Sequence, residues 1–438
     1  MQAWRPLAPT PVATGRALLC WAIVLAAALG LYAATAARVI QWQDSGYHVL
    51  RVVEGQPVNP LGLALSHPLF YWLGRWAAAI LPVEPAHAVS LVSSLAGAIA
   101  VANVFGLVQR LTGRVVPAAL AAASLAVANT FWRFSTVPES YTLAAALLTA
   151  EMWALVLWAQ TRRPVWLAAM FLANGLGLAN HNLALLTLPV IGGVLLLALS
   201  QRQAGWRTVL VGALAWLAGA GPLVTLVVQQ ALASGKVLET VHSMLFGRYQ
   251  SHVMGVGIGL RLTAVSIAFT VLSFPNLTLP AAGVGMVRAS RLGIARLAIG
   301  ALLAALAIHL LFVLRYSVVD QYMFLVPAYA LVAVFAGVGF AVVLERWPAW
   351  LKRVVLSVAG VLIATAPVLY TVAPEIARRY NVLGSQRRDK PYRDDYAYLL
   401  LPWGVAETSA DRMSRQALQL AGERGLIIVE DGMALFPV

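Results

Sequence analysis

Just beyond the first apolar run of this 438-residue chain stands a small group of side chains able to exchange protons. One stretch reads Gln41-Trp42-Gln43-Asp44-Ser45-Gly46-Tyr47-His48, and Ser66-His67-Pro68-Leu69-Phe70-Tyr71-Trp72 follows it. In a protein this apolar, an acid and two imidazoles at a membrane boundary are costly to keep unless they act there. Asp44 is the leading catalytic candidate, since a carboxylate within hydrogen-bond reach of a hydroxyl can take its proton. Asp-Ser-Gly is also ordinary turn chemistry, so a capping role is the competing reading. Glu139, His181 and Asp320 extend the polar set, with Arg133, Arg248 and Arg315 as cations at the same boundary.

The elements that must carry these residues follow from composition. Hydrophobic residues make up 61% of the sequence and charged residues 11%, a balance foreign to a water-soluble domain of this size. The expected fold class is an all-α polytopic membrane protein. The formal charge is +14, but the arginines come in ones, twos and threes between apolar runs. That pattern orients a membrane protein, whereas nucleic acid would need one basic stripe with interleaved aromatics. The single cysteine, Cys20, lies in the first apolar run and excludes an intrachain disulfide or a cysteine-based metal site.

Residues 17–36 end in Ala34-Thr35-Ala36, which resembles a signal-peptidase site. The run is nevertheless roughly 20 residues, the length of a bilayer span and longer than a signal-peptide core. It reads as an uncleaved helix with its N-terminus held in the cytosol by Arg5 and Arg16. Further spans are predicted at 86–108, 115–131, 142–160, 165–179, 183–199, 209–232, 262–287, 297–314, 322–344 and 354–372, about eleven helices in all. Pro275 and Pro280 should kink the span at 262–287.

Residues 61–81 are apolar but interrupted by His67, Pro68 and Arg75. If they do not cross, Arg110, Arg114, Arg162, Arg163, Arg202, Arg207, Arg288, Arg291, Arg296, Arg346, Lys352 and Arg353 all fall in cytoplasmic loops; if they cross, all go outside. The positive-inside rule therefore makes this a part-helical juxtamembrane segment, with Trp72 and Trp76 at headgroup level. Asp44, His48, Glu54, His67, Glu139, His181, Glu239, His242, His252 and Asp320 then share the exoplasmic face. A first outer loop (38–85) and a second (233–261) would enclose it.

Residues 1–372 thus read as a transmembrane domain and 373–438 as a small exoplasmic α/β segment. In that segment 411–421 should be helical, with Thr408 or Ser409 as cap and Gly425 as stop. Leu426-Ile427-Ile428-Val429 reads as a buried strand ending in Glu430-Asp431-Gly432. Such a segment is too thin to stand alone; it either packs on the outer loops or opens a larger domain.

A first helix followed by a long exoplasmic loop that opens with an acid resembles the GT-C glycosyltransferases, which take sugars from polyprenyl-phosphate carriers. More narrowly, several blocks are similar to a protein O-mannosyltransferase-related family of bacteria and animals. They are Asp44-Ser45-Gly46, His67-Pro68-Leu69-Phe70-Tyr71, Phe131-Trp132, Pro138-Glu139-Ser140-Tyr141-Thr142-Leu143, Gly175-Leu176-Gly177-Leu178-Ala179-Asn180-His181, Asp320-Gln321-Tyr322-Met323-Phe324-Leu325-Val326-Pro327 and Ile427-Ile428-Val429-Glu430-Asp431-Gly432. The chain departs from that family at Tyr47, where a second acid often follows Asp-Ser-Gly.

The resemblance implies a membrane glycosyltransferase in the cytoplasmic (inner) membrane, moving a mannose-like hexose from a polyprenyl-phosphate donor to a protein, lipid or glycan acceptor outside. Asp44 would be the general base. Arg133, Arg248 and Arg315 would stabilise the departing phosphate, Arg315 foremost because it precedes Asp320 at a helix junction. His181 would bind phosphate or orient a carboxylate, Glu139 would fix sugar hydroxyls or position the base, and His67 is a donor-site candidate that could simply join two helices. No metal ligand set is evident, so a divalent cation is allowed but not indicated.

The competing classes are a secondary transporter, which needs ionisable groups near the midplane, and a non-catalytic assembly factor for lipid-linked glycans. Only Glu151 and His309 lie deep in predicted spans. Convergence of Asp44, His67, Glu139, His181 and Arg315 on one outward cavity is what separates the enzyme from both.

Overall fold

A computed structural model describes residues 14–289, 296–382 and 391–429. The first apolar run forms α1 (Thr14–Thr35), and the chain turns through Gln43 into α2 (Asp44–Glu54). Pro68 opens α3 (Pro68–Ile80), at a position where its missing N–H costs nothing. Thirteen residues reach about 20 Å, short of the ~30 Å hydrocarbon core. The bundle continues through α4 (Pro85–Thr112), α5 (Val115–Ala126), α6 (Asn129–Phe134), α7 (Tyr141–Thr161), α8 (Pro164–Asn180), α9 (Leu188–Ser200) and α10 (Trp206–Ser234). Two short helices, α11 (Val237–Phe246) and α12 (Gln250–Met254), precede α13 (Leu260–Ser273), α14 (Thr278–Arg288), α15 (Arg296–Arg315), α16 (Val326–Arg346) and α17 (Ala349–Arg379). Beyond these lie α18 (Asp395–Leu400) and α19 (Ser409–Ala421).

All eleven apolar runs contain helix, but not every one forms a helix long and apolar enough by itself to cross a membrane. Among the described residues, 7 helices are long and apolar enough to cross a membrane, or up to 8 if the bent pair α13–α14 is one span. The others, α5, α8 and α9, have 12, 17 and 13 residues, or about 18–26 Å. The reasons are local. The run at 115–131 breaks between α5 and α6, and the run at 183–199 spends its first turn on a 3-10 helix, Asn182–Leu186. At Pro275 the chain bends by 100°, far beyond a kink. Phe274 (φ −125°, ψ 63°) cannot stay helical before a proline, so two helices form in place of one.

The helix α16 is buried along its whole length at the centre, with α4 and α7 mostly buried beside it. By contrast α1, α10 and α17 expose apolar faces such as Leu18, Leu214 and Val361. In lipid, helices associate through close van der Waals contact rather than hydrophobic drive, so small residues matter. A Cβ on Gly285 or on Gly339 would lie 1.9 Å from a carbonyl oxygen of the facing helix, and that fixes the α14–α16 crossing.

The C-terminal helices rest on the loops that carry the candidate site. Trp42 donates to Ser409, Gln41 to the Glu407 carbonyl, and Thr136 to the Pro402 carbonyl. Two expectations fail here. Leu426 and Ile428 are 84% and 80% exposed and form no strand; no neighbouring strand exists among the described residues to pair with them. The helix α19 ends at Gly422 rather than Gly425, where the chain leaves the helix at φ 60° and ψ −169°, a conformation open to glycine. Glu430-Asp431-Gly432 lies outside the described residues.

Candidate active site

Five separate elements bring the polar residues together. Asp44 is the first residue of α2, His67 caps α3, Glu139 sits in the turn before α7, His181 ends α8, and Asp320 precedes the 3-10 turn Gln321–Leu325. The backbone before Asp44 is forced: Gln43 has φ 60° and ψ −140°, a conformation that costs about 1–3 kcal/mol for a residue with a side chain.

Glu139 is held at both ends. Its backbone N–H donates to Ser93 Oγ at 3.1 Å, and Ser93 donates to its carbonyl at 2.9 Å. Its carboxyl accepts from Ser45 Oγ at 2.8 Å. Burial pushes that carboxyl up to about 8, helped by Asp320 and opposed by Ser45 and Arg133. The side chain of Asp44 is exposed, with Ser45, His48 and Glu139 buried beside it. Desolvation, then the charges of Glu139 and Asp320, raise it to about 6. Burial raises Asp320 as well. Three carboxyl groups thus act on one another and at neutral pH divide their states: Asp44 ionised, Glu139 protonated.

The three imidazoles are neutral. Burial drives His48 down to about 4, His67 to about 3, and His181 well below its ordinary value. His48 Nε2 lies 3.6 Å from Glu139 Oε2, but with neither group charged at neutral pH this is no ion pair. Partners fix two tautomers. His67 Nδ1–H donates to the Asn180 carbonyl at 2.5 Å, which leaves Nε2 as an acceptor. His181 Nδ1 accepts from the Leu183 N–H at 3.1 Å, so its Nε2 carries the hydrogen. The two rings stack with centroids 5.1 Å apart, and His48 meets His67 edge-on at 5.2 Å. One donor and one acceptor therefore stand side by side, flanked by Tyr141 and Phe324.

The cations divide. Arg133 acts electrostatically on Glu139 and lies 5.0 Å over the ring of Tyr398. Arg248 is exposed in the segment between α11 and α12, beside Tyr249. Arg315 donates to the Gly255 carbonyl at 2.7 Å and makes no ion pair with Asp320. Arg315, the foremost phosphate candidate, is thus held by a backbone carbonyl. His242 and His252 bond only to loop neighbours, Gln250 and Ser251.

Sequence reasoning missed Ser45, Ser93 and Tyr398. Ser93-Ser94 inside the otherwise apolar α4 was the available signal for one anchor of Glu139. Nothing in the sequence pairs Tyr398 with Arg133, 265 positions away. Glu151 lies elsewhere: it accepts from Asn174 and Thr187 and, with His309, lines a small cavity of about 20 Å³.

The fold is that of the GT-C membrane glycosyltransferases. ArnT from Cupriavidus metallidurans bound to undecaprenyl phosphate superposes with a TM-score of 0.63 at 15% identity, over 97% of this chain and 85% of that one. The Archaeoglobus fulgidus oligosaccharyltransferase, in complex with Zn and sulfate, gives 0.52 at 15% identity, covering 86% of this chain and 58% of that chain. Within this class, residues 64–204 match the family model described as the protein O-mannosyl-transferase TMEM260 N-terminal domain. That stretch holds His67, Arg133, Glu139 and His181, and it agrees with the resemblance read from the sequence blocks. No curated protein matches the chain.

Proposed function

We propose that the protein transfers a sugar, a mannose-like hexose, from a polyprenyl-phosphate donor to a hydroxyl-bearing acceptor on the exoplasmic side of the cytoplasmic membrane. The observation that carries this reading is the convergence of Asp44, Glu139, Asp320 and three neutral histidines from five elements in one cluster. The neighbour that holds undecaprenyl phosphate supports the donor class, and the family model's name supports a protein hydroxyl as acceptor.

In this reading the acceptor oxygen attacks the anomeric carbon while Asp44 takes its proton. The bond from that carbon to the phosphate oxygen breaks, and the polyprenyl phosphate leaves as an anion beside Arg133. Protonated Glu139 donates a hydrogen bond rather than adding a third negative charge. His181 Nε2–H donates to a phosphate or sugar oxygen, and His67 Nε2 accepts from a sugar hydroxyl. The histidines act as neutral hydrogen-bonding groups, not as cations.

The test is transfer by the reconstituted protein from a panel of labelled polyprenyl-phosphate sugars, wild type against Asp44→Asn. Wild-type transfer that the substitution abolishes supports the reading. Equal transfer by both removes Asp44 as base, and no transfer from any donor overturns the donor class.

A further inference from the structure

We infer that Tyr398, brought to the site by the C-terminal segment, is the positioning residue for Arg133, so that this segment is a working part of the donor phosphate site. The inference rests on the role proposed for Arg133.

Two short helices carry the contact. On α6, Asn129 and Arg133 are four residues apart and share a face. Both meet α18: Asn129 Nδ2 donates to the Leu400 carbonyl at 2.7 Å, and the Arg133 guanidinium stands 5.0 Å over the Tyr398 ring. The other end of α18 is tied independently. Asp394 caps it through the Tyr396 and Ala397 N–H groups and pairs with Arg378 on α17. Tyr398 is therefore placed by contacts that do not involve Arg133 at all.

Its ring holds a second guanidinium, Arg393, at 4.5 Å, but that one is already paired with Asp395 at 2.7 Å. Arg133 makes no ion pair among the described residues. A half-buried cation on a π face keeps its N–H donors available, whereas a carboxylate partner would occupy them. The Tyr398 hydroxyl also reaches Gln43 Oε1 at 3.5 Å, next to Asp44. One side chain thus touches the mounts of both the cation and the base.

The test varies the π face without changing its shape. In the full-length protein in nanodiscs, Tyr398 is replaced by phenylalanine and its mono-, di- and trifluoro analogues, and the Kd for undecaprenyl phosphate is measured. Phenylalanine should bind within about threefold of wild type, and the trifluoro analogue at least about tenfold more weakly than phenylalanine. A flat series with tight wild-type binding overturns the inference. A double-mutant cycle in melting temperature, Tyr398→Leu with Arg133→Gln, serves as the second readout. Additive losses there overturn the contact. If wild type binds no undecaprenyl phosphate, the donor reading falls, and the cycle alone decides whether Tyr398 holds Arg133.

Discussion

Two buried glutamates show what separates a site from a strut. Glu139 and Glu151 are 6% and 2% exposed, and each accepts from a hydroxyl, Ser45 in one case and Thr187 in the other. Their surroundings differ. Glu139 shares its cluster with two other carboxyls and three imidazoles, beside a backbone residue held at φ 60°. Glu151 meets no second acid; its partners Asn174 and Thr187 tie α7 to α8 and to the turn at Asn182–Leu186, and Trp216 donates in turn to Asn174. Like charges crowded together cost stability and would not persist without use. A single acid held by two donors on one oxygen joins helices, even with its other oxygen, Oε1, buried without a partner.

The largest expected effect breaks the comparison on the side of Asp44. Asp44→Asn should lower transfer by about 10²–10⁴-fold, the range a lost general base gives, in an assay with labelled donor lipid. Arg133→Gln comes next, with a rise of about tenfold in KM for the donor and a smaller change in kcat, because a charged hydrogen bond to phosphate is worth roughly 1.5–3 kcal/mol. The pH profile then sharpens the pairing of acids. With Asp44 raised to about 6, transfer should climb as pH passes 6 and Asp44 ionises. With Glu139 raised to about 8, it should fall above 8 as a second negative charge appears beside the leaving phosphate. Glu139→Gln, neutral at every pH, should keep most activity at pH 7 and remove only the alkaline limb. A profile unchanged by that substitution would separate Glu139 from the chemistry.

How much of this was written in the sequence follows the same division. Apolar runs announce helices directly, and the lone acids and imidazoles between them announced Asp44, Glu139, His67 and His181. What the sequence did not carry is how helix ends meet. The break at Phe274-Pro275 looked like a kink, because a proline reports that a helix is interrupted but not by what angle the chain leaves. Arg315 stood out as a phosphate ligand because it precedes Asp320 at a helix junction, yet the Gly255 carbonyl takes its guanidinium. Leu426-Ile427-Ile428-Val429 had the composition of a buried strand, but composition supplies no neighbouring strand. Arg133 gains its support from Tyr398, and a contact at such separation leaves no periodic trace.

The smallest effect on activity is expected at Glu151, and it tests whether burial alone marks function. Glu151→Gln preserves the acceptor oxygen facing Asn174 and Thr187, so transfer should stay within about threefold of wild type, as for a substitution that keeps its hydrogen bonds. Glu151→Leu removes that acceptor; Asn174 and Thr187 keep the Ala184 carbonyl, but two hydrogen bonds across the helices are lost, each worth about 0.5–1.5 kcal/mol. The melting temperature should therefore drop for leucine and not for glutamine, measured in the same nanodiscs as the transfer assay. If glutamine abolished transfer while leaving the melting temperature in place, Glu151 and His309 would be acting through the cavity they line, and the distinction drawn from charge crowding would fail at the residue chosen to represent it.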